Sequence, residues 1–260
     1  MTTYRRALVT GASSGIGREL ARQLAAGGSD LVLVARDRDR LKALADEVAT
    51  DAEVLVADLS TAPGMDQVAA RISTDDEAVD LLVNNAGFGF SGSFADLDGA
   101  KESAVVQVNV VALHRLCHAA AVAMKRRGHG GIPNISSMAS SMVAADSATY
   151  CATKHFVTAL SESLHVDLGR FGITVTAALP GFTRTEFQDR AGLDTSEIPD
   201  FLWQDAADCA AEALVALHAG KARVVTGVPN KVGAPLLQML PPPLMRRLGA
   251  LGDRMGSSAT

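Results

Sequence analysis

Residues 7–24 read ALVTGASSGIGRELARQL, an apolar run (Ala7 to Val9), a glycine-rich turn and a helical pattern carrying Leu20 and Leu24. Strand, glycine loop and helix start in direct succession make an anion cradle. Glycines let the backbone turn tightly, while the unpaired N–H groups and dipole of a helix N-terminus attract negative charge such as a pyrophosphate. The glycines, Gly11, Gly15 and Gly17, are spaced GxxxGxG, with Ser13, Ser14 and Ile16 between them.

Outward from this unit, short runs rich in Val and Leu alternate with longer helical segments, the pattern of a mostly parallel sheet covered on both faces. Strands are predicted near Ala7 to Val9, Leu31 to Ala35, Val54 to Ala57, Leu81 to Val83, Ile132 to Ile135, Thr174 to Ala178 and Arg223 to Thr226. Ligands in such folds bind beyond the carboxyl ends of the strands. The glycine loop, Arg36, Asp58, Asn84-Asn85, Ser137 and Pro180-Gly181 each fall just after a predicted strand.

With 260 residues, 48% hydrophobic and only 4% aromatic, the chain suits one doubly wound α/β domain over residues 1–232 and a tail over 233–260. No long apolar stretch follows the charges of the first residues and nowhere do eighteen uncharged apolar residues run together, so a soluble cytoplasmic protein is expected. Cys117, Cys151 and Cys209 are odd in number and scattered, which argues for small buried fillers over disulfides or zinc ligands. A net charge of −5, a pI near 5.7 and no basic run longer than Lys125-Arg126-Arg127 leave no footprint for nucleic acid.

Residues 134–154 read NISSMASSMVAADSATYCATK. A helix starting near Tyr150 puts Lys154 one turn on, about 5–6 Å away at the β-carbons. An unperturbed tyrosine titrates near 10, and a neighbouring ammonium favours the ionised phenol, which brings its proton into use near neutral pH. Ser137 follows a predicted strand and can return to the same spot. A bare YxxxK is equally an ordinary surface helix.

Taken together, TGxxxGxG, Asn84-Asn85-Ala86-Gly87, Ser137 and Tyr150-x-x-x-Lys154 stand in the order found in the short-chain dehydrogenase/reductase family, which the chain resembles from Arg6 to Val228. The resemblance implies a Rossmann-type domain with a seven-stranded sheet, a carbonyl/alcohol oxidoreductase, and catalytic Asn109, Ser137, Tyr150 and Lys154. It implies cofactor contacts from Gly11, Ser13, Ser14, Gly15, Ile16, Gly17, Asp58, Leu59, Asn85, Ala86, Gly87, Tyr150, Lys154, Pro180, Gly181, Thr183 and Thr185. In this scheme Asn84 ties strands together, Asn85 to Gly87 approach the cofactor ribose, and Asn109 bends its helix and holds a water that feeds protons to Lys154. An acid at the end of the second strand selects NAD and an arginine accommodates a 2′-phosphate. Ala35-Arg36 therefore points to NADP(H), unless Arg36 merely opens the salt-laced stretch Arg36 to Arg40. Asp58 taken alone is equally a turn or cap residue. A non-catalytic NADP-binding regulator on the same fold is the competing class, against which the intact Ser, Tyr and Lys set argues.

Residues 186–204, carrying Phe187, Phe201 and Trp203, fit a mobile lid over a hydrophobic small molecule, with Phe88, Phe90, Met138 and Phe182 adding to the pocket. Pro133 lacks a ladder N–H and is expected at a strand start or a bulge. His114 and His118, one turn apart, have no third ligand and read as core or interface residues. The tail places Leu244, Leu248, Leu251 and Met255 on one helical face, which suits packing on its own domain or on a second subunit of a homodimer or homotetramer, with an anionic membrane as the less favoured surface.

Overall fold

A computed structural model describes residues 4–196 and 198–231 of the chain. Seven strands form one parallel sheet: β1 (Arg6–Thr10), β2 (Asp30–Ala35), β3 (Ala52–Val56), β4 (Leu81–Val83), β5 (Gly130–Ile135), β6 (Ile173–Leu179) and β9 (Arg223–Val225). Their order is β3-β2-β1-β4-β5-β6-β9, so the chain winds outward from β1 to one edge and then from β4 to the other. The winding reverses between β1 and β4, and the loops leaving those two strands frame the crevice in which such sheets bind ligands. A separate two-stranded parallel pair, β7 (Thr183–Arg184) and β8 (Gln204–Asp205), was not legible from the pattern of apolar runs.

The strands read as continuous apolar runs because both faces are covered. Leu8 packs into one core cluster with α3 (Ala62–Ser73), α5 (Leu113–Arg127) and α6 (Ala148–Gly169), whereas Ala7 and Val9 pack into the other with α1 (Gly15–Ala26), α2 (Arg38–Glu47) and α8 (Ala206–His218). Helix starts carry their own signals. Asp37 accepts from the Arg40 N–H at the start of α2, and Thr61 accepts from the Gly64 N–H at the start of α3. Helix α4 (Gly99–Val106) runs into a π-helical segment, Gln107–Ala112, and on into α5 without a break. This 29-residue stretch is long and apolar enough by composition to cross a membrane, yet Val105, Ala112, Leu116, Ala120 and Met124 along it are almost fully buried. Its hydropathy serves the domain core.

Pro133 departs from expectation. It is neither a strand start nor a bulge: it sits fourth in β5, and the register with β6 runs unbroken through it, Pro133 opposite Thr176. Toward β4 the N–H groups of Gly131 and Ile135 donate to Asp80 O and Asn84 O, so the missing donor falls between two intact bonds. The regular β4·β5 ladder shrinks to one pair, Leu81 with Gly131. Side chains replace what the backbone lacks. Asn84 Nδ2 donates to Asn134 Oδ1 at 2.9 Å and Asn134 Nδ2 donates to Ser161 Oγ at 2.8 Å, stitching β4, β5 and α6 together in the dry interior. Cys117 Sγ on α5 lies 3.2 Å from Asn84 Nδ2.

Cys117, Cys151 and Cys209 are free and buried, as expected of fillers. His114 and His118 are exposed on α5 and are not core residues. The tail discussed from its sequence lies outside the described residues.

Asn134→Leu keeps the volume of a fully buried side chain but removes two bonds, leaving Asn84 Nδ2 with only the weak Cys117 thiol and Ser161 Oγ with only the Val157 carbonyl. The expected cost is about 1–3 kcal/mol for the broken buried bonds, read as a fall in the urea midpoint. A variant as stable as the parent would show that the polar stitch contributes nothing net.

Candidate active site

The glycine loop is built around a hydroxyl outside the expected cofactor set. Thr10 Oγ1 donates to Val83 O at 3.2 Å and accepts the N–H groups of Asn85 and Ala86, each at 3.0 Å. Asn85 Nδ2 donates to Thr10 O and Gly11 O. The Asn85 amide is therefore a strut between the loops after β1 and β4, and the face it offers a ribose is its backbone and that of Ala86 and Gly87. A Cβ on Gly17 would lie 2.3 Å from Asn85 Nδ2, and Gly15 holds φ at +54°, with a Cβ there 3.0 Å from the Thr185 methyl. Ser14 caps α1 with extended backbone and makes no side-chain cap bond, and the first turn carries no acid. Uncapped N–H groups, a glycine floor and a first turn without an acid suit a pyrophosphate. Ser13, Ser14, Gly15, Thr185 and Glu186 line a cavity of about 510 Å³ with Arg18, Arg40 and Arg184.

Arg36 follows β2 exposed and makes no ion pair among the described residues. Its charge reaches Asp58. Burial raises the Asp58 pKa, but hydrogen bonds from the Ser60 N–H and hydroxyl and the charge of Arg36 outweigh it, leaving the carboxyl below its ordinary range. One oxygen, Oδ1, takes both Ser60 bonds, at 2.9 and 2.7 Å, and holds the turn after β3. Leu59 is buried in the core, which leaves its backbone as the part facing a ligand. Ile16 is likewise packed on the core.

Tyr150, Ser137 and Lys154 converge. Ser137 leaves β5, caps a short 3₁₀ turn (Met138–Ser141) by accepting the Ala139 N–H at 3.1 Å, and faces the Tyr150 phenol. Ser136 Oγ ties the same strand end to α6 through Lys154 O and Thr158 Oγ1. The pKa ordering differs from the sequence expectation. Burial pushes the phenol up to about 12, Ser137 opposes this, and Lys154 is not among the causes. Burial also lowers the Lys154 amine from 10.5 to about 8. Both groups have lost water, which penalises phenolate and ammonium alike. Lys154 Nζ turns to Ile135 O at 2.9 Å and stands 5.7 Å from the phenol ring centre.

Asn109 lies in the π segment. Its amide is spoken for: Oδ1 accepts the Phe88 N–H at 3.1 Å, and Nδ2 donates to Phe88 O at 2.8 Å and Thr153 Oγ1 at 3.1 Å. The side chain grips the loop after β4 and the catalytic face of α6. Gly87 passes between: a Cβ there would lie 3.1 Å from Asn109 Oδ1 and 3.4 Å from Lys154 Nζ.

Pro180, buried at the end of β6, accepts the Met138 N–H at 2.8 Å. Gly181 packs against Asn230. Thr183 is clamped by two residues that the sequence did not single out as polar contacts: Gln188 Nε2 donates to its carbonyl and Gln204 Nε2 to its hydroxyl, each at 3.0 Å. Their partners lie 5 and 21 residues away in the chain, so no local spacing marks them. The lid is partly regular, with α7 (Phe187–Ala191) and a 3₁₀ turn, Asp200–Leu202. Phe187 leans on Tyr150 at 5.4 Å between ring centres, Trp203 on Phe182 at 5.7 Å, and Phe88 on Phe90 at 5.7 Å, whereas Phe201 is 70% exposed. Met138 is buried beside them in the turn after Ser137. Among the described residues no group of three side chains is placed to hold a metal.

The profile of the family described as short chain dehydrogenase matches residues 5–195. Nodulation protein G of Rhizobium sp. (strain N33) is 36% identical over 188 residues, 72% of this chain and 77% of that one. Among solved structures, a short-chain dehydrogenase from Sphingobium yanoikuyae in complex with NADPH superposes with a TM-score of 0.81 at 35% identity, covering 98% of this chain and 97% of its own. The bulky-bulky ketone specific alcohol dehydrogenase from Comamonas testosteroni gives 0.76 at 30% identity, covering 100% and 96%. With the glycine cradle at the switch point, the Ser, Tyr and Lys groups beside it and relatives along nearly its whole described length, the chain belongs to the short-chain dehydrogenase family of NAD(P)-dependent oxidoreductases that interconvert carbonyls and alcohols.

Proposed function

We propose that the protein is an NADP(H)-dependent reductase of apolar ketones or aldehydes. The observation that carries the chemistry is the Tyr150 phenol, held protonated at about 12 with the Ser137 hydroxyl against it. A buried phenol of that pKa is a proton reservoir throughout the neutral range. In the reducing direction Tyr150 gives its proton to the carbonyl oxygen, and Ser137 donates a hydrogen bond to the same oxygen as negative charge grows there. NADPH, when bound, supplies the hydride that completes the alcohol. Lys154, two-faced between Ile135 O and the region of Gly87, is placed to bind ribose hydroxyls and to return a proton to the phenol.

Preference for the phosphorylated cofactor rests on Arg36. It is exposed, carries no ion pair among the described residues and follows Ala35, where no acid competes for the ribose. The NADPH complex of the Sphingobium yanoikuyae relative supports the same choice. The aromatic walls around Tyr150 support a hydrophobic substrate, and ketones with two bulky substituents are the first to try, since the Comamonas testosteroni relative is specific for them.

A panel of such ketones followed at the absorbance of NADPH tests the reading, and silence across a broad panel points instead to a nucleotide-binding regulator. Tyr150→Phe should retain NADPH binding while losing at least about two orders of magnitude in turnover, the low end for a missing proton donor. Turnover within a few-fold of the parent overturns the assignment. Arg36→Ala should weaken NADPH and barely touch NADH, because only the former offers a phosphate for a charge-assisted bond. Equal losses with both would make Arg36 a residue of the fold.

Lys154 also predicts a pH effect on stability. Its folded pKa of about 8 lies below the ordinary 10.5, so across that interval the unfolded chain binds a proton that the folded one does not. Stability linked to this group therefore rises with pH over the window. Lys154→Met removes the titration, and the difference in urea midpoint between parent and variant should move in favour of the parent as the pH rises from about 8 to 10. Parallel midpoints would place the amine at its ordinary pKa.

A further inference from the structure

Glu186 opens the lid, and its carboxylate is held from outside it. Nη1 of Arg40, in the first turn of α2, donates to both oxygens, at 2.8 and 2.9 Å, across 146 residues of sequence. Arg190, one turn along α7, pairs with the same carboxylate, and Asp37 approaches Arg40 at 3.5 Å. Arg40 and Glu186 both line the cavity whose floor is Ser13, Ser14 and Gly15. Around the same cavity Arg18 is engaged with Glu47 and Arg184 with Asp200, whereas Arg36, four residues before Arg40, has no ion pair among the described residues. The charge meant for a free phosphate is thus separate from the charge that grips the lid.

In the residues that directly follow Glu186 the lid has different anchors. Phe187 leans on Tyr150, Gln188 bonds Thr183, and Ala191 O accepts the Ser91 N–H at 2.8 Å. Those contacts hold it to the catalytic side. Arg40 and Glu186 hold it to the nucleotide side.

We propose, on the strength of the cofactor site argued above, that the Arg40–Glu186 ion pair is a strap that closes the lid over the dinucleotide and sets its rate of release without touching the 2′-phosphate. The two side chains are 46% and 47% exposed, so the strap is weak and salt-sensitive, as a gate that opens every turnover must be.

The test is release of bound NADPH and NADH, measured by stopped-flow chase with excess oxidised cofactor and read through energy transfer from the single tryptophan, Trp203. Arg40→Gln and Glu186→Gln should each speed release of both cofactors by about two- to five-fold, the worth of one exposed pair. The double variant should release no faster than either single one, since both remove the same interaction. Rising salt should speed release from the parent and flatten in the variants. Unchanged release in all three variants overturns the strap alone, as does an Arg40→Gln effect confined to NADPH with Glu186→Gln silent, which makes Arg40 a phosphate ligand. A parent protein that binds neither dinucleotide overturns the cofactor assignment, and the strap with it.

Discussion

The hydrogen bond from Asn84 to Asn134 is the constraint on which the site rests. It crosses from β4 to β5 beside the one place where Pro133 leaves the ladder without a donor, and it continues through Ser161 into α6. An interior amide that lost these partners would be left without water to replace them, so each member fixes the next. From the same strand end come Ser136, tied to α6, and Ser137, facing the phenol. The stitch therefore sets the distance between a strand that delivers a hydroxyl and a helix that delivers a phenol and an amine.

Burial then decides the electrostatics. Isolated from water, the phenol of Tyr150 and the amine of Lys154 both drift toward their neutral forms, and the attraction expected between a phenolate and an ammonium has nothing to act on while the phenol keeps its proton. The amine meanwhile satisfies Ile135 O, at the strand end just past Pro133. The amine of the candidate site thus doubles as a backbone partner where the sheet runs out of one.

Most of the fold was legible because the signals are local. Residues 7–24 carry strand, turn and helix in one line, and runs such as Leu31 to Ala35 declare themselves by β-branched and leucine content. The convergence of Ser137, Tyr150 and Lys154 was legible only once their spacing was read together with the glycine loop and the family resemblance that these motifs carry. Roles that depend on partners far away in sequence were not. Nothing near Gln188 or Gln204 announces Thr183, and nothing near Arg40 announces Glu186. Asn85 and Asp58 were read as ligand contacts, and the bonds that Asn85 Nδ2 makes to Thr10 and Gly11 and Asp58 Oδ1 to Ser60 were not foreseen. Pro133 was misjudged since the rule confining proline to strand edges takes no account of side-chain bonds beside the gap, here those that join Asn84 to Asn134 and Asn134 to Ser161.

The π segment Gln107–Ala112 has a consequence for how this gene can change. A π turn is an α-helix carrying one surplus residue, and each residue of an α-helix advances the chain by about 100° around the axis. The wide turn absorbs the surplus residue, so removing one position between Gln107 and Ala112 would restore regular winding without turning α5, and Leu116, Ala120 and Met124 would stay on the sheet. The local change would fall on Asn109, which would part from Phe88 or from Thr153. Loops on the surface of this domain can gain or lose residues at small cost. Within this turn the surplus residue is what brings one amide to both the loop after β4 and α6.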